Sequence, residues 1–215
     1  MQNRITEMSP RYLVGLTSGA LVLIFFGAIW VGLSLQGLHD WSLGIVIIIA
    51  GIVTVALLAP CLTTLRAALL LLPQEKVTLE GQTQGKKIGR RFGLVFGVEF
   101  TAIAVANLLL TLFNHPEFLA PVMVLVVGLH FLPLAFLFQV RVYYLVGSFL
   151  SLLGGGALLA LLFGLTLGDL YTWSVIVGLT TAVILWLTSL SILTGARRSL
   201  SLIQQSLEGA TGINL

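Results

Sequence analysis

The chain has 215 residues, of which 58% are hydrophobic and only 9% are charged, and its mean hydropathy is +1.07. A soluble domain carries about 25% charged residues, so this composition excludes a single water-soluble globular domain and indicates an integral membrane protein. The formal charge of +3 does not indicate nucleic-acid binding, because the cations follow membrane topology. The single cysteine, Cys61, excludes an intrachain disulfide and a multi-cysteine metal site.

Six apolar stretches are long enough to cross a bilayer as helices, each of which needs about 20 apolar residues. In chain order they cover about 13–36, 42–65, 91–113, 118–140, 144–167 and 173–195. We therefore predict an all-α integral membrane bundle of six transmembrane helices in a single domain, 1–215. A cytoplasmic loop is expected at 73–91 and a cytoplasmic tail at 197–215. Apolar residues at helical spacing in the tail predict a short interfacial helix that ends near Gly209.

All eleven cationic side chains fall on the side of the membrane that carries both termini in this topology. They are Arg4, Arg11, Arg66, Lys76, Lys86, Lys87, Arg90, Arg91, Arg141, Arg197 and Arg198. The positive-inside rule therefore predicts a multi-pass protein of the inner (plasma) membrane with cytoplasmic N- and C-termini. The basic residues beside the spans predict contacts with anionic lipid head groups. No nucleic-acid partner and no cofactor are expected, and a homo-oligomer is compatible with the sequence.

An internal repeat is visible when the chain is aligned with itself. At an offset of 132 residues, 12–66 aligns with 144–198 without a gap, with about 16 identities in 55 positions. An offset of 77 relates the middle pair of spans to the first pair more weakly. These offsets predict three parallel-repeat helical hairpins. Chance similarity of Leu-rich helices is the alternative, and it is more serious for the middle hairpin.

Two ionisable residues lie near the midplane of the predicted membrane. Glu99 is in the third span and His130 is in the fourth, at positions where the repeat places apolar residues or glycine in the other hairpins. A carboxylate in hydrocarbon costs about 2.5–3.5 kcal/mol, so we expect both groups to face the bundle and to pair. Asn107, Gln139 and Arg141 are candidate extensions of this proton- or substrate-binding site. The alternative is an interhelical hydrogen bond that only fixes packing.

Proline and glycine residues predict local irregularities at a similar depth. Pro133 removes a backbone donor one turn after His130 and is expected to kink the fourth span. Gly154, Gly155 and Gly156 thin the fifth span and permit close packing or a small cavity. We expect Glu99 and His130 to point toward this glycine face.

Acidic residues and histidines also gather in the turns of the predicted outer face. They are His39, Asp40, His115, Glu117 and Asp169. Imidazole and carboxylate groups together can bind a divalent cation. Their spacing is not diagnostic, and short turns are often acidic because they are solvated. A metal site is therefore the weaker interpretation here.

The stretch GLHFLPLAF at 128–136 resembles a signature of small uncharacterised bacterial multi-pass membrane proteins. The resemblance covers about ten residues and implies a bacterial membrane protein without a defined activity. Metalloprotease, serine-protease and paired-aspartate intramembrane signatures are missing from the sequence.

The sequence leaves three functions open. The first is a small transporter or channel-like protein with a titratable Glu99–His130 pair. The second is a structural or assembly membrane protein without transport activity. The third is an intramembrane enzyme with His130 as general base, which is disfavoured because the sequence supplies no nucleophile.

Overall fold

The structure is a computed structural model that describes residues 10–71, 79–165 and 172–211, with side chains described outside 79–88 and 206–211. Almost all of these residues are helical, and this part of the chain contains no strand. Helices suit an apolar chain because every backbone hydrogen bond is made within the segment, which leaves no unpaired edge facing lipid.

Six long helices follow one another along the described chain. They are α1 (Pro10–Ser34), α2 (Asp40–Leu71), α3 (Leu79–Leu112), α4 (Leu119–Phe138), α5 (Arg141–Leu162) and α6 (Thr172–Thr211). Short 3₁₀ turns at Leu35–Gly37 and Pro116–Phe118 precede α2 and α4. Each of the six helices contains a segment long and apolar enough to cross a membrane. The predicted all-α class with six membrane-spanning helices is confirmed, whereas the threefold repeat stays a prediction.

Two helices extend more than ten residues beyond the spans predicted from the sequence. Helix α3 begins at Leu79, so residues 79–91 are helical where a loop was expected at 73–91; residues 72–78 lie outside the described chain. Helix α6 continues to Thr211, so the tail forms no separate interfacial helix before that residue. Both extensions contain Leu, Gln and Arg, which are good helix formers, so a helix started in the apolar segment can continue through them, although the first extension also contains three glycines.

The described residues divide into two compact units. The first unit comprises 10–28, 48–71 and 185–211, and the second comprises 29–47, 79–165 and 172–184. The prediction of one domain over 1–215 therefore stays a prediction.

Within the first unit, buried small and branched side chains pack between segments of α1, α2 and α6. Leu13, Ala68, Ala196 and Leu200 form one apolar cluster. Side chains also donate hydrogen bonds to carbonyls of α1, from Trp186 Nε1 to Ile24 at 3.2 Å and from Ser189 Oγ to Ala20 at 3.0 Å. The thiol of Cys61 is fully buried and lies 3.5 Å from the Thr17 carbonyl. These polar contacts help to hold the helices together, because the hydrophobic effect does not drive helix association within lipid.

Within the second unit, α4 and α5 approach closely along a line of small residues. A Cβ at Gly128 would collide with the backbone and hydroxyl of Ser151, and one at Gly147 would lie 2.9 Å from the Gly128 carbonyl oxygen. A Cβ at Gly154 would lie 2.5 Å from the Leu125 nitrogen. Small residues at helix crossings let the backbones come together, which increases van der Waals contact between α4 and α5.

Candidate functional site

The candidate site lies between α3 and α4 in the second unit. These helices are antiparallel, because Phe92 near the start of the apolar part of α3 contacts Phe138 at the end of α4, with ring centroids 5.9 Å apart. Phe92, Phe96 and Glu99 recur at intervals of four and three residues, so they share the face of α3 that meets α4. This periodicity places the Glu99 carboxylate on the helix–helix contact.

The structure brings Glu99 and His130 into direct contact. His130 Nδ1 lies 3.3 Å from Glu99 Oε2, and the two side chains are only 6% and 10% exposed, respectively. Nδ1 makes no hydrogen bond of good geometry among the described residues. The pair is therefore close enough for a strong charge interaction, with a small reorientation needed to form the hydrogen bond.

Aromatic rings enclose the imidazole of His130. The Phe96 ring meets it edge to face at a centroid distance of 5.3 Å, and the Phe131 ring does so at 6.0 Å. The imidazole therefore contacts α3 through Phe96 and its own helix, α4, through Phe131.

The remaining predicted polar members of this site lie apart from the pair. Asn107 is exposed on α3, eight residues beyond Glu99, or about 12 Å along the helix axis. Gln139 is an exposed residue with a φ of 54° that ends α4, and Arg141 begins α5 in an exposed position. The structure therefore brings together Glu99 and His130 only.

The glycines of α5, which were predicted to face Glu99 and His130, do not line this pair. Gly154 packs against Pro121 and Leu125, on the first turns of α4, whereas a Cβ at Gly155 or Gly156 would meet nothing within 4 Å. His130 is five residues beyond Leu125, about 7.5 Å along α4. Its ring meets α3 because α3, not the glycine segment of α5, packs against that part of the α4 surface.

Pro133 lies inside α4, which is assigned as helical without a break from Leu119 to Phe138. The proline lacks an N–H for the carbonyl of Leu129, four residues earlier. The Pro133 side chain is exposed, so its ring occupies the surface of the unit rather than the contact with α3. The kink predicted at Pro133 stays a prediction.

The outer group of acidic residues and histidines contains one close pair. His115 Nδ1 lies 2.8 Å from Glu117 Oε1 in the turn between α3 and α4. His39 and Asp40 are exposed, and Asp169 lies outside the described residues. Among the side chains that the structure describes (10–71, 89–165 and 172–205), no three His, Cys, Asp or Glu residues are grouped to hold a metal ion.

Sequence reasoning overlooked two features near the site. The first is the aromatic neighbour Phe96, which the helical spacing from Glu99 would have revealed. The second is Ser151 on α5, whose buried Oγ has no hydrogen-bond partner within the described part of the chain. No sequence signal identifies that hydroxyl, because its burial depends on the close approach of Gly128.

Comparison with known proteins adds no relative to this description. The chain matches no known protein family, no curated protein and no solved structure. The six apolar helices are compatible with a polytopic membrane protein.

Proposed function

We propose that the chain is a small transporter or channel-like membrane protein in which Glu99 and His130 form a titratable site between α3 and α4. The observation that carries this proposal is the 3.3 Å contact between two nearly buried ionisable side chains in apolar helices. Ionisable residues inside membrane segments are costly, and they commonly mark ion pathways and proton relays.

The chemistry of such a pair follows from its net charge. A carboxylate with an imidazolium, or a carboxylic acid with a neutral imidazole, is neutral overall, so a proton can pass between the two groups without adding charge to the site. Loading a further proton leaves a net positive charge, and removing one leaves a net negative charge. Both charged states are energetically unfavourable in apolar surroundings. Each therefore favours a return to the neutral pair or a rearrangement of the groups around the charge. Protonation is thereby coupled to the state of the α3–α4 contact.

Proton movement in proteoliposomes tests this proposal directly. Purified protein is reconstituted with a pH-sensitive dye inside the vesicles, and lumenal pH is followed after an imposed pH gradient. The wild type is expected to move protons at a rate that depends on pH. Glu99→Gln preserves shape and hydrogen-bonding capacity but cannot titrate, so only His130 still titrates at the site and the pH profile is expected to change.

Glu117→Gln is the matched control because it removes a carboxylate that also lies beside a histidine, but in an exposed turn. This variant is expected to retain the wild-type pH profile. Absence of protein-dependent proton movement in the wild type would overturn the proposal, as would equal pH profiles for wild type and Glu99→Gln.

A structural role is the second candidate, and the aromatic neighbours of His130 favour it. The ring contacts Phe96 and Phe131 edge to face and is 6% exposed, as expected for a histidine that fixes helix packing. Under this alternative, Glu99→Gln changes the thermal unfolding temperature, while vesicles that contain the wild type or the variant have the same low proton permeability.

A further inference from the structure

Four arginines lie at one end of the three helices that form the first unit. Leu13 of α1, Ala68 of α2, and Ala196 and Leu200 of α6 pack in one apolar cluster, so these helix segments lie side by side. Each arginine is one or two residues from a member of this cluster, which is no more than about 3 Å along its helix axis. They are Arg11, Arg66, Arg197 and Arg198, and all four are exposed. The first unit therefore presents a basic surface at this level.

The chain does not carry enough acidic residues to neutralise its basic side. The described side chains of the first unit include no Asp or Glu. In the topology predicted from the sequence, the eleven cations share their side of the membrane with only four carboxylates, which leaves an excess of seven positive charges. The four are Glu7, Glu75, Glu80 and Glu208. Whatever pairs these four make, most of the cations must be balanced by anions from outside the chain.

Arg197 and Arg198 differ in their position relative to the helix contacts of α6. The buried residues of α6 in the first unit form a stripe that is centred close to Ala196. At 100° per residue, Arg197 lies about 90° around the helix from this centre, and Arg198 lies about 170° from it. Arg197 is therefore at the edge of the contact between α6 and its neighbours, whereas Arg198 is on the opposite side of the helix.

The buried hydroxyl of Thr64 on α2 orients the guanidinium of Arg197. Arg197 Nε donates to Thr64 Oγ1 at 3.2 Å, and Thr64 Oγ1 donates to the Pro60 carbonyl oxygen at 2.8 Å. Because the hydroxyl proton is used within α2, its oxygen acts as the acceptor for Arg197. The four N–H bonds of the two Nη groups have no acceptor among the described residues. Such a pair of Nη groups binds two oxygens of one phosphate.

Exposed leucines lie on both sides of these arginines along α2 and α6. They are Leu62 and Leu70, which flank Arg66, and Leu190 and Leu202, which flank Arg197 and Arg198. Inorganic phosphate can pair with a guanidinium, but it leaves these leucines uncovered. A phospholipid covers them with its acyl chains and places its phosphate beside the cations, as expected for basic residues at the ends of membrane helices. The ligand that fits both features is therefore a lipid.

We propose that Arg197 binds the phosphate of an anionic phospholipid at the edge of the α2–α6 contact, with Thr64 as its positioning residue. The Nη groups donate to two phosphate oxygens, and the acyl chains lie along the exposed leucines. A net anionic head group is preferred over a zwitterionic one, because the ammonium group of a zwitterionic lipid is repelled by the neighbouring arginines. This site is independent of the proposed role of Glu99 and His130.

Native mass spectrometry of the full chain in a non-ionic detergent tests the proposal, because it counts bound lipid molecules. Delipidated protein is titrated with phosphatidylglycerol or with phosphatidylcholine of the same acyl chains. The wild type is expected to bind the first phosphatidylglycerol about fivefold more tightly, which corresponds to the contribution of one cation near a lipid head group. A large molar excess of inorganic phosphate is expected not to displace the lipid, because it does not cover the leucines.

Arg197→Gln and Arg198→Gln are the matched pair of variants, because each removes one charge from adjacent exposed positions of α6. Arg197→Gln is expected to abolish the preference for phosphatidylglycerol, and Arg198→Gln is expected to retain most of it. Arg197→Lys keeps the charge but loses the planar pair of donors, so it should retain only part of the preference. Equal unfolding temperatures of the three lipid-free variants verify that the fold is unchanged.

The positioning role of Thr64 is tested by two substitutions. Thr64→Val removes the hydroxyl at nearly constant size and is expected to lower the affinity for phosphatidylglycerol about as much as Arg197→Lys. Thr64→Ser keeps the hydroxyl and is expected to restore the wild-type affinity. A second readout is the rise in unfolding temperature on adding phosphatidylglycerol, which follows the affinity by mass action. Unchanged affinity in Thr64→Val would refute the positioning role.

Three outcomes would overturn the lipid site. One is an equal loss of affinity in Arg197→Gln and Arg198→Gln, which would indicate diffuse attraction to the basic surface. Another is equal binding of phosphatidylglycerol and phosphatidylcholine by the wild type. The third is displacement of the lipid by inorganic phosphate, which would identify the ligand as a water-soluble anion.

Discussion

Nδ1 of His130 lies 3.3 Å from Oε2 of Glu99, on facing sides of the antiparallel α3 and α4 helices. The two side chains are 31 residues apart in the chain and are both at least nine-tenths buried. Removing one partner of a buried ion pair is strongly destabilising, because the remaining charge is buried without an opposite charge beside it. This dependence makes the pair accessible to experiment whether or not it moves protons.

A double-mutant cycle measures the interaction between these residues. We expect Glu99→Gln and His130→Gln to show a coupling free energy of about 0.5–3 kcal/mol, since contacting residues are not additive. The readout is the free energy of unfolding in mixed detergent micelles. The exposed pair His115–Glu117 is the control, and its coupling should be smaller, about 0.2–1 kcal/mol, because water screens it. If the changes in unfolding free energy of the Glu99 and His130 variants were strictly additive, the contact would make no contribution to stability.

Adjacent glycines of α5 should respond in opposite ways to the same substitution. Gly154→Ala places a Cβ 2.5 Å from the Leu125 nitrogen and 2.8 Å from the Pro121 oxygen, and backbone atoms cannot move aside easily. We expect destabilisation of about 1–3 kcal/mol from this overpacking. Gly155→Ala adds a methyl group in open space and should be neutral or stabilising. Equal unfolding free energies for the two variants would contradict the close α4–α5 contact.

Two serines of α6 form a similar matched pair in the first unit. Ser189 is fully buried and donates to the Ala20 carbonyl of α1, whereas Ser191 is exposed. Ser189→Ala is expected to lower the free energy of unfolding by about 0.6 kcal/mol, the average for interhelical hydrogen bonds in membranes. Ser191→Ala should leave it unchanged. A larger effect at Ser191 would be inconsistent with the packing of α1 against this part of α6.

Topology is tested by labelling introduced cysteines from either side of the membrane. In a Cys61→Ala background, Gln82→Cys should react with an impermeant thiol reagent only from the cytoplasmic side. His115→Cys, in the turn between α3 and α4, should react only from the outside. This expectation follows from the distribution of Lys and Arg. The reverse pattern would invert the orientation assigned to all six helices.

The helical class and the number of spans could be predicted without tertiary information. An apolar segment of about 20 residues must satisfy its backbone internally in lipid, so composition and length decide that it becomes a helix. The ends of the helices were less predictable. The polar residues 79–91 and 197–211 contain good helix formers, and the sequence does not show whether a helix stops at the membrane surface or continues through them.

The sequence by itself determined that Glu99 and His130 are ionisable groups in apolar segments that lie near each other in an antiparallel hairpin. Only the tertiary structure decided that they touch, because contact depends on the rotation of α3 and α4 about their axes. That rotation comes from packing: Phe92 and Phe96 bring the Glu99 side of α3 against α4, while Asn107 lies on another side. The same is true of the glycines, which are equivalent in sequence, yet Gly154 is enclosed by α4 and Gly155 faces open space. A residue's type sets the cost of placing it in lipid, and the neighbouring helix determines whether that cost is offset.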